Sequence, residues 1–433
     1  MQTRPQCSLL SSLRHPDLSS RSFCLCYGVF ELVDFGWGDA DRFSFYTLFK
    51  SLSRTSVCIP FARMSDAPRV RRSQASLLSS VIYQPKGIRA CPAMIDYPVF
   101  FSGAAIILVA GLLSGVFVVP TRGIREWEWE HIWLVYSISA FLLVPPALAL
   151  IFFPRVFSAL LAPQISLTAQ VGCYGVLFGI GCVLFGVTWA KLGIAVANAL
   201  VSGVNVLVGS MGPVLVGAVV LDRHGRSRLL VGMLPLFAGL VLSAAASIIR
   251  DRQTGASSGK ETTLFQSSVG ILVAFGSGAL SAMLNIGFSV GSPLEVLAND
   301  MGYAAPISSL AIWIPVLLGG FIANFAYPAL LISRRSTWRS LARQQNALSL
   351  WLRCLAMGVL WSTAIFIYGY GARLMGDRGT TYGWAIVSGA GILGSLLLGA
   401  MTGEWRDSGL RSKILMAFSV AAMLLSFIIL SIP

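Results

Sequence analysis

The chain has 433 residues, 55% of them apolar and 12% charged, with a mean hydropathy of +0.75. That composition excludes a soluble globular protein. The net charge of +14 does not point to nucleic acid, because the arginines cluster as short loop charges between apolar segments. The eight cysteines and three histidines form no CxxC or Cys/His metal spacing, so buried structural thiols are expected, with no metal and no cofactor.

Residues 1–93 are Ser- and Arg-rich without lasting periodicity, and their best apolar run, Phe23 to Trp37, is interrupted by Glu31 and Asp34. They lack the clean apolar core and small-residue cleavage site of a secretory signal. Met94 stands just ahead of the first membrane-length segment and is read as the start of the native chain; a basic transit peptide is the alternative reading of the tail. From there, apolar runs able to cross ~30 Å of hydrocarbon are predicted near 98–119, 132–153, 168–189, 193–221, 229–249, 267–291, 305–332, 349–371, 382–403 and 412–431. Between the first two lie Arg122, Arg125 and the run from Glu126 to Trp133, where tryptophans beside charges suit the headgroup level. The polar, Gly/Ser-rich stretch 250–266 reads as a linker between a first half, 94–249, and a second half, 267–433.

An internal duplication supports that division. Shifted by 183 residues, the run Gly175 to Phe178 becomes Gly358 to Trp361, Phe185-Gly186 becomes Tyr368-Gly369, and Met233 and Ser243 meet Met416 and Ser426. With three more residues of offset, Asn198 meets Trp384, Ser202 meets Ser388, Asn205 meets Gly391 and Gly209 meets Ser395. Five helices per half force the halves into opposite orientations. The expected fold is therefore an all-α polytopic membrane protein of ten helices, built as two inverted five-helix repeats, the usual architecture of secondary transporters.

Polar residues inside the spans are few. Asn198, Ser202, Asn205, Gly209 and Gly212 share one helix face and are expected to look at a neighbouring helix or a watery cavity. Ser277, Ser281 and Asn285 form a second stripe; Gly320, Asn324 and Pro328 form a third. Asn285 and Asn324 are open to two readings: interhelical hydrogen bonds, or an amide lining that holds the hydroxyls of a polyol. Trp361, Tyr368 and Trp384 can stack on a sugar ring or anchor at the lipid interface. No Asp or Glu falls mid-span; Glu295, just after the sixth span, and Glu130, just before the second, are the proton-coupling candidates. An intramembrane enzyme is disfavoured, since His15, His131 and His224 all lie outside the helix interiors. A sugar sensor is disfavoured because no sizeable soluble region follows Met94.

These features resemble the L-rhamnose–proton symporter family of the drug/metabolite transporter superfamily. The residues that carry the resemblance begin with Pro120, Trp127-Glu128-Trp129-Glu130, Gly179-Ile180-Gly181, Gly186 and Leu192-Gly193. They continue through Asn285, Glu295, Asn324, Trp361, Tyr368, Trp384, Glu404-Trp405 and Gly409. The resemblance covers about 98–430 and implies a carrier of a sugar or related small polar solute in a bacterial inner membrane, working with or without a proton. From the residues themselves, substrate is expected to sit between the halves near mid-membrane, touched by Asn198, Asn205, Asn285, Asn324, Trp361, Tyr368 and Trp384. The partners expected are that solute, a proton, the lipid bilayer and, left open, a second copy of the chain. The chain departs from the family on the eighth helix, where Ala364 and Ala372 stand in place of an expected glutamine and histidine. After residue 93, loops following odd-numbered helices carry 14 Lys/Arg and those following even-numbered helices 6, which puts the former in the cytoplasm; the 12 Lys/Arg of residues 1–93, if that tail belongs to the native chain, pull the other way.

Overall fold

The computed structural model describes residues 97–432 except 156–159, 161–164, 193, 254–263, 305–306 and 344–345. The expectations for residues 1–93, and for most of the linker, lie outside the described residues. Ten helices in the described part are long and apolar enough to cross a bilayer. In chain order they are α1 (Tyr97–Gly115), α2 (Trp129–Ser137, a π-turn at Ile138–Leu143, then Val144–Phe152), α3 (Ile165–Leu192), α4 (Ile194–Leu215) and α5 (Arg223–Gln253). The second five are α6 (Leu264–Ser281, Met283–Val290 and Ser292–Asp300), α7 (Leu310–Arg335), α8 (Ala347–Leu374), α9 (Gly379–Met401) and α10 (Leu410–Ser431).

Most ends fall within a few residues of expectation because apolar length sets them. The fourth helix stops at Leu215, short of the expected 221, and the fifth begins at Arg223, ahead of the expected 229; the sixth helix departs furthest. It does not stop at 291 but continues through two breaks to Asp300. Pro293 sits in the first turn of the last piece, where a missing N–H goes unnoticed. The end comes at Gly302, whose φ of 90° is open to glycine and strained for other residues. Glu295, expected beyond the helix, is thereby carried on it. The α5 helix also runs on to Gln253, four residues into the expected linker.

Between lipid-embedded helices apolar burial supplies little drive, so close packing of small residues decides which helices meet. A Cβ on Gly175 of α3 would stand 1.9 Å from the Val316 carbonyl oxygen of α7. Gly111 of α1 lies against Val387 O of α9, and Gly278 of α6 against Val201 O of α4. Ser419 and Ser426 of α10 donate to Gly239 O and Gly232 O of α5 at 2.8 and 2.7 Å. The principal pairs are α3 on α6 and α7, α8 on α1 and α2, α2 on α7, α1 on α9, α6 on α4, α4 on α9 and α5 on α10. Exchanging each helix for the one five places along the chain returns the same pairs.

Loops gather at two faces. Arg122 and Arg250 both pair with Glu404, and Trp127 donates to Ser340 O at 3.0 Å. The segments after α1, α5, α7 and α9 therefore meet at one face, which we call the basic face. At the opposite face Phe153 and Tyr303 rings lie 4.2 Å apart, and Arg378 approaches Asp222 at 3.8 Å.

Candidate functional site

A cavity of about 220 Å³ opens between α1, α3, α4, α6, α8 and α9. Its polar wall is Ser114, Ser202, Asn205, Ser281 and Ser388; its apolar wall is chiefly Phe178, Leu284, Trp361, Ala364, Ile365 and Trp384. The volume is below the roughly 300–1,000 Å³ of sites for drug-sized ligands, so an occupant must be small. No ionisable side chain is among the lining residues. A charged solute would therefore lose hydration without gaining a counter-charge, whereas hydroxyls would find partners.

Helix geometry explains these positions. Ser281 closes the first piece of α6, next to the break at Ala282, and broken helices are where a membrane protein exposes polar backbone to a cavity. Asn205 lies midway along α4 beside Ser202. Its backbone carbonyl accepts from Trp384 Nε1 at 3.2 Å, while its Oδ1 is buried with no protein partner. A buried amide oxygen without a donor is an acceptor available to a bound hydroxyl.

Trp361 lies midway along α8, its ring parallel to that of Phe178 at 6.1 Å. These two residues coincide at the 183-residue offset, and both stand in the cavity wall. An aromatic column runs outward from Trp361 through Tyr136 (6.2 Å) and Trp133 (4.9 Å from Tyr136) to Trp129 (5.4 Å from Trp133). Asn324 braces that column from α7. It is fully buried, accepts from Trp133 Nε1 at 3.0 Å and donates to Gly320 O at 3.0 Å.

Asn285 is also fully buried, and its carboxamide is saturated. Nδ2 donates to Gly209 O on α4 (2.8 Å) and Thr380 O on α9 (2.7 Å); Oδ1 accepts from the Tyr368 hydroxyl on α8 (2.5 Å). Tyr368 is buried and meets Trp384 edge-on at 5.5 Å.

Of the residues expected to touch substrate, Asn205, Trp361 and Trp384 line the cavity. Asn285 and Tyr368 lie one layer away toward the face opposite the basic one, joined to Trp384. Asn324 lies behind the aromatic wall. Asn198 is exposed on α4 and is not among the lining residues. Both candidate carboxylates are buried in ion pairs away from the cavity: Glu295 Oε2 is 2.5 Å from Arg373 Nε, and Glu130 Oε1 accepts from Arg335 Nη1 at 2.7 Å. The expected site left out Ser114, Ser202, Ser281, Ser388 and Phe178. The repeat carried a signal for three of them, since it pairs Ser202 with Ser388 and Phe178 with Trp361.

Among the described residues, ten membrane-length helices with a small uncharged cavity between them define a polytopic membrane protein, and the family it matches makes it a transporter. The chain belongs to the L-rhamnose-proton symport protein (RhaT) family, whose model matches residues 100–432. It is 22% identical over 327 residues to an L-rhamnose-proton symporter of Klebsiella pneumoniae strain 342, covering 74% of this chain and 94% of that one. It is 20% identical over 327 residues to one from Citrobacter koseri, with the same coverage. An Escherichia coli (strain K12 / DH10B) L-rhamnose-proton symporter is 21% identical over 326 residues, again at 74% and 94%.

Proposed function

We propose that this chain moves a small, uncharged, polyhydroxylated solute, a monosaccharide in the first instance, across the bacterial inner membrane by alternating access. The observation that carries the reading is the central cavity, with serine hydroxyls and the free Asn205 Oδ1 on one side and the Trp361 and Phe178 rings on the other. Hydroxyls would bond to the polar wall, and the C–H face of a sugar ring would lie on the indole. The names of the relatives, all L-rhamnose-proton symporters, support a sugar.

The two halves, 94–249 and 267–433, act in this reading as inverted repeats that rock about the cavity. The exchange symmetry of the helix pairs supports it. In this reading the basic face lies in the cytoplasm, on the excess of Lys and Arg in its loops. A coupled proton would act outside the cavity, with Glu295 the first candidate and Glu130 the second, because the cavity wall carries no titratable group. Uptake of labelled sugars into proteoliposomes, with and without an imposed pH gradient, tests the coupling. Proton symport predicts accumulation that an uncoupler abolishes, and gradient-independent equilibration would leave a uniporter.

A second reading, another small metabolite in place of L-rhamnose, is favoured by Ala364. This methyl lines the cavity where the family resemblance leads one to expect a glutamine. A missing amide leaves a substrate hydroxyl without a partner, and a site built on such contacts discriminates strongly. Ala364→Gln is expected to raise L-rhamnose uptake relative to the parent if the family substrate was lost at this position.

A further inference from the structure

The end of the cavity away from the basic face is closed by one polar layer, in which the Asn285 carboxamide holds three other helices. We infer that Asn285 is the latch of a gate, and that the transporter opens toward that face by releasing this carboxamide from α4, α8 and α9. The inference rests on the transport reading above and adds the residue that positions the closed state. It also gives Asn285 a role other than the substrate contact expected from the sequence.

Both N–H groups and the oxygen of the carboxamide are taken up by Gly209 O, Thr380 O and the Tyr368 hydroxyl. In this conformation Asn285 has no donor left for a solute. Equally, α4 cannot part from α6, nor α6 from α9, without breaking a bond to this one side chain. Gly209 lets the layer close: a Cβ there would lie 2.1 Å from Trp384 Nε1, so only a bare backbone admits the indole that packs on Tyr368.

The layer also carries the marks of a contact made to be broken. The hydroxyls of Ser210, next to Gly209, and of Thr380 are buried without a partner. Burying unpaired hydroxyls is unfavourable, and water entering an opened gate would satisfy them. A second layer backs the first. Phe288 stacks on Trp313 at 4.3 Å, and the Arg373 guanidinium lies 4.5 Å over Phe288 while facing Glu295. The lining residues Ser114, Ser202, Ser281 and Ser388 lie on the basic-face side of the Asn285 layer along their helices and are all partly exposed.

The test reads access rather than transport. Ser281 lines the cavity, so Ser281→Cys reports which face reaches it. Labelling by a charged, membrane-impermeant thiol reagent is measured in vesicles of each orientation, above the background of the native cysteines. The chain with Ser281→Cys alone is expected to react chiefly from the basic face. Adding Tyr368→Phe removes one hydroxyl donor and keeps the ring; it should raise the rate from the opposite face about 5-fold, the equivalent of one net hydrogen bond. Asn285→Ala should raise it further, and Tyr368→Phe keeps the test decisive if Asn285→Ala does not fold. Unchanged labelling from that face in folded Tyr368→Phe overturns the inference. Because no solute is needed, such a result leaves the transport reading to be decided by uptake.

Discussion

Gly175 offers the sharpest test of how the helices are held together. A Cβ at this position would stand 1.9 Å from Val316 O, 2.8 Å from Val316 C and 3.0 Å from Gly320 N, all main-chain atoms of α7. Ordinary contact begins near 3.4 Å, so Gly175→Ala requires the two backbones to separate by about 1.5 Å, the difference between 3.4 and 1.9 Å. No side chain can turn aside to make room. Overpacking of this kind costs about 1–3 kcal/mol and sometimes more, and here it also loosens packing along the rest of the α3–α7 seam. Gly276 of α6 is the control: nothing lies within 4 Å of its would-be Cβ, so Gly276→Ala should be neutral or gain up to about 1 kcal/mol of helix propensity. Thermal unfolding of the purified protein in detergent, followed by size-exclusion of the soluble fraction, compares the two. The account requires Gly175→Ala to melt several degrees below the parent and Gly276→Ala at or above it. Equal midpoints for the two alanine variants would refute the backbone-to-backbone seam.

Three further outcomes are expected. Glu295→Gln strands the Arg373 guanidinium beside a neutral amide and should destabilise by roughly 3–5 kcal/mol, whereas Glu404→Gln, whose side chain is 40% exposed in its pairs with Arg122 and Arg250, should cost about 1 kcal/mol or less. Their melting midpoints should differ accordingly, and similar losses would contradict the burial of the first pair. Asn324→Leu leaves the Trp133 indole N–H without its acceptor at a cost of about 1–3 kcal/mol, read as a lower midpoint. Trp361→Ala should raise the KM for a transported sugar at least tenfold, the equivalent of about 1.4 kcal/mol, with Trp361→Phe recovering most of the loss. A KM unmoved by both variants would remove Trp361 from the substrate site.

The sequence disclosed the ten spans because each is a long apolar run, and lipid permits little else of that length. It misjudged the end of α6 because Ser292, Pro293, Glu295, Asn299 and Asp300 read as a loop. In the structure Leu294 and Ala298 are buried on that last piece, and Glu295 meets Arg373, 78 residues away on α8, contacts that a local pattern does not show. The lining of the candidate cavity was legible where a local pattern sufficed: the face of α4 carrying Asn205, and the 183-residue offset that sets Phe178 against Trp361. Periodicity fixes a face but not a depth, so Asn198 shares the face of Asn205 yet sits two turns away in an exposed position. Partners are equally invisible in a local pattern. Asn285 and Asn324 looked alike as lone amides, but contacts from other helices make one a tie between four helices and the other a brace for an indole.

The central claim is that the cavity between α1, α3, α4, α6, α8 and α9 is where solute crosses. Equilibrium exchange of labelled monosaccharides into proteoliposomes tests it most directly, comparing the parent chain with Ser388→Phe, which places a ring in the cavity from its partly exposed wall. The account predicts that at least one sugar exchanges through the parent and that Ser388→Phe, shown to be folded by its melting curve, abolishes that exchange. Undiminished exchange through Ser388→Phe would contradict the assignment of the cavity, and no exchange of any solute by the folded parent would contradict transport itself.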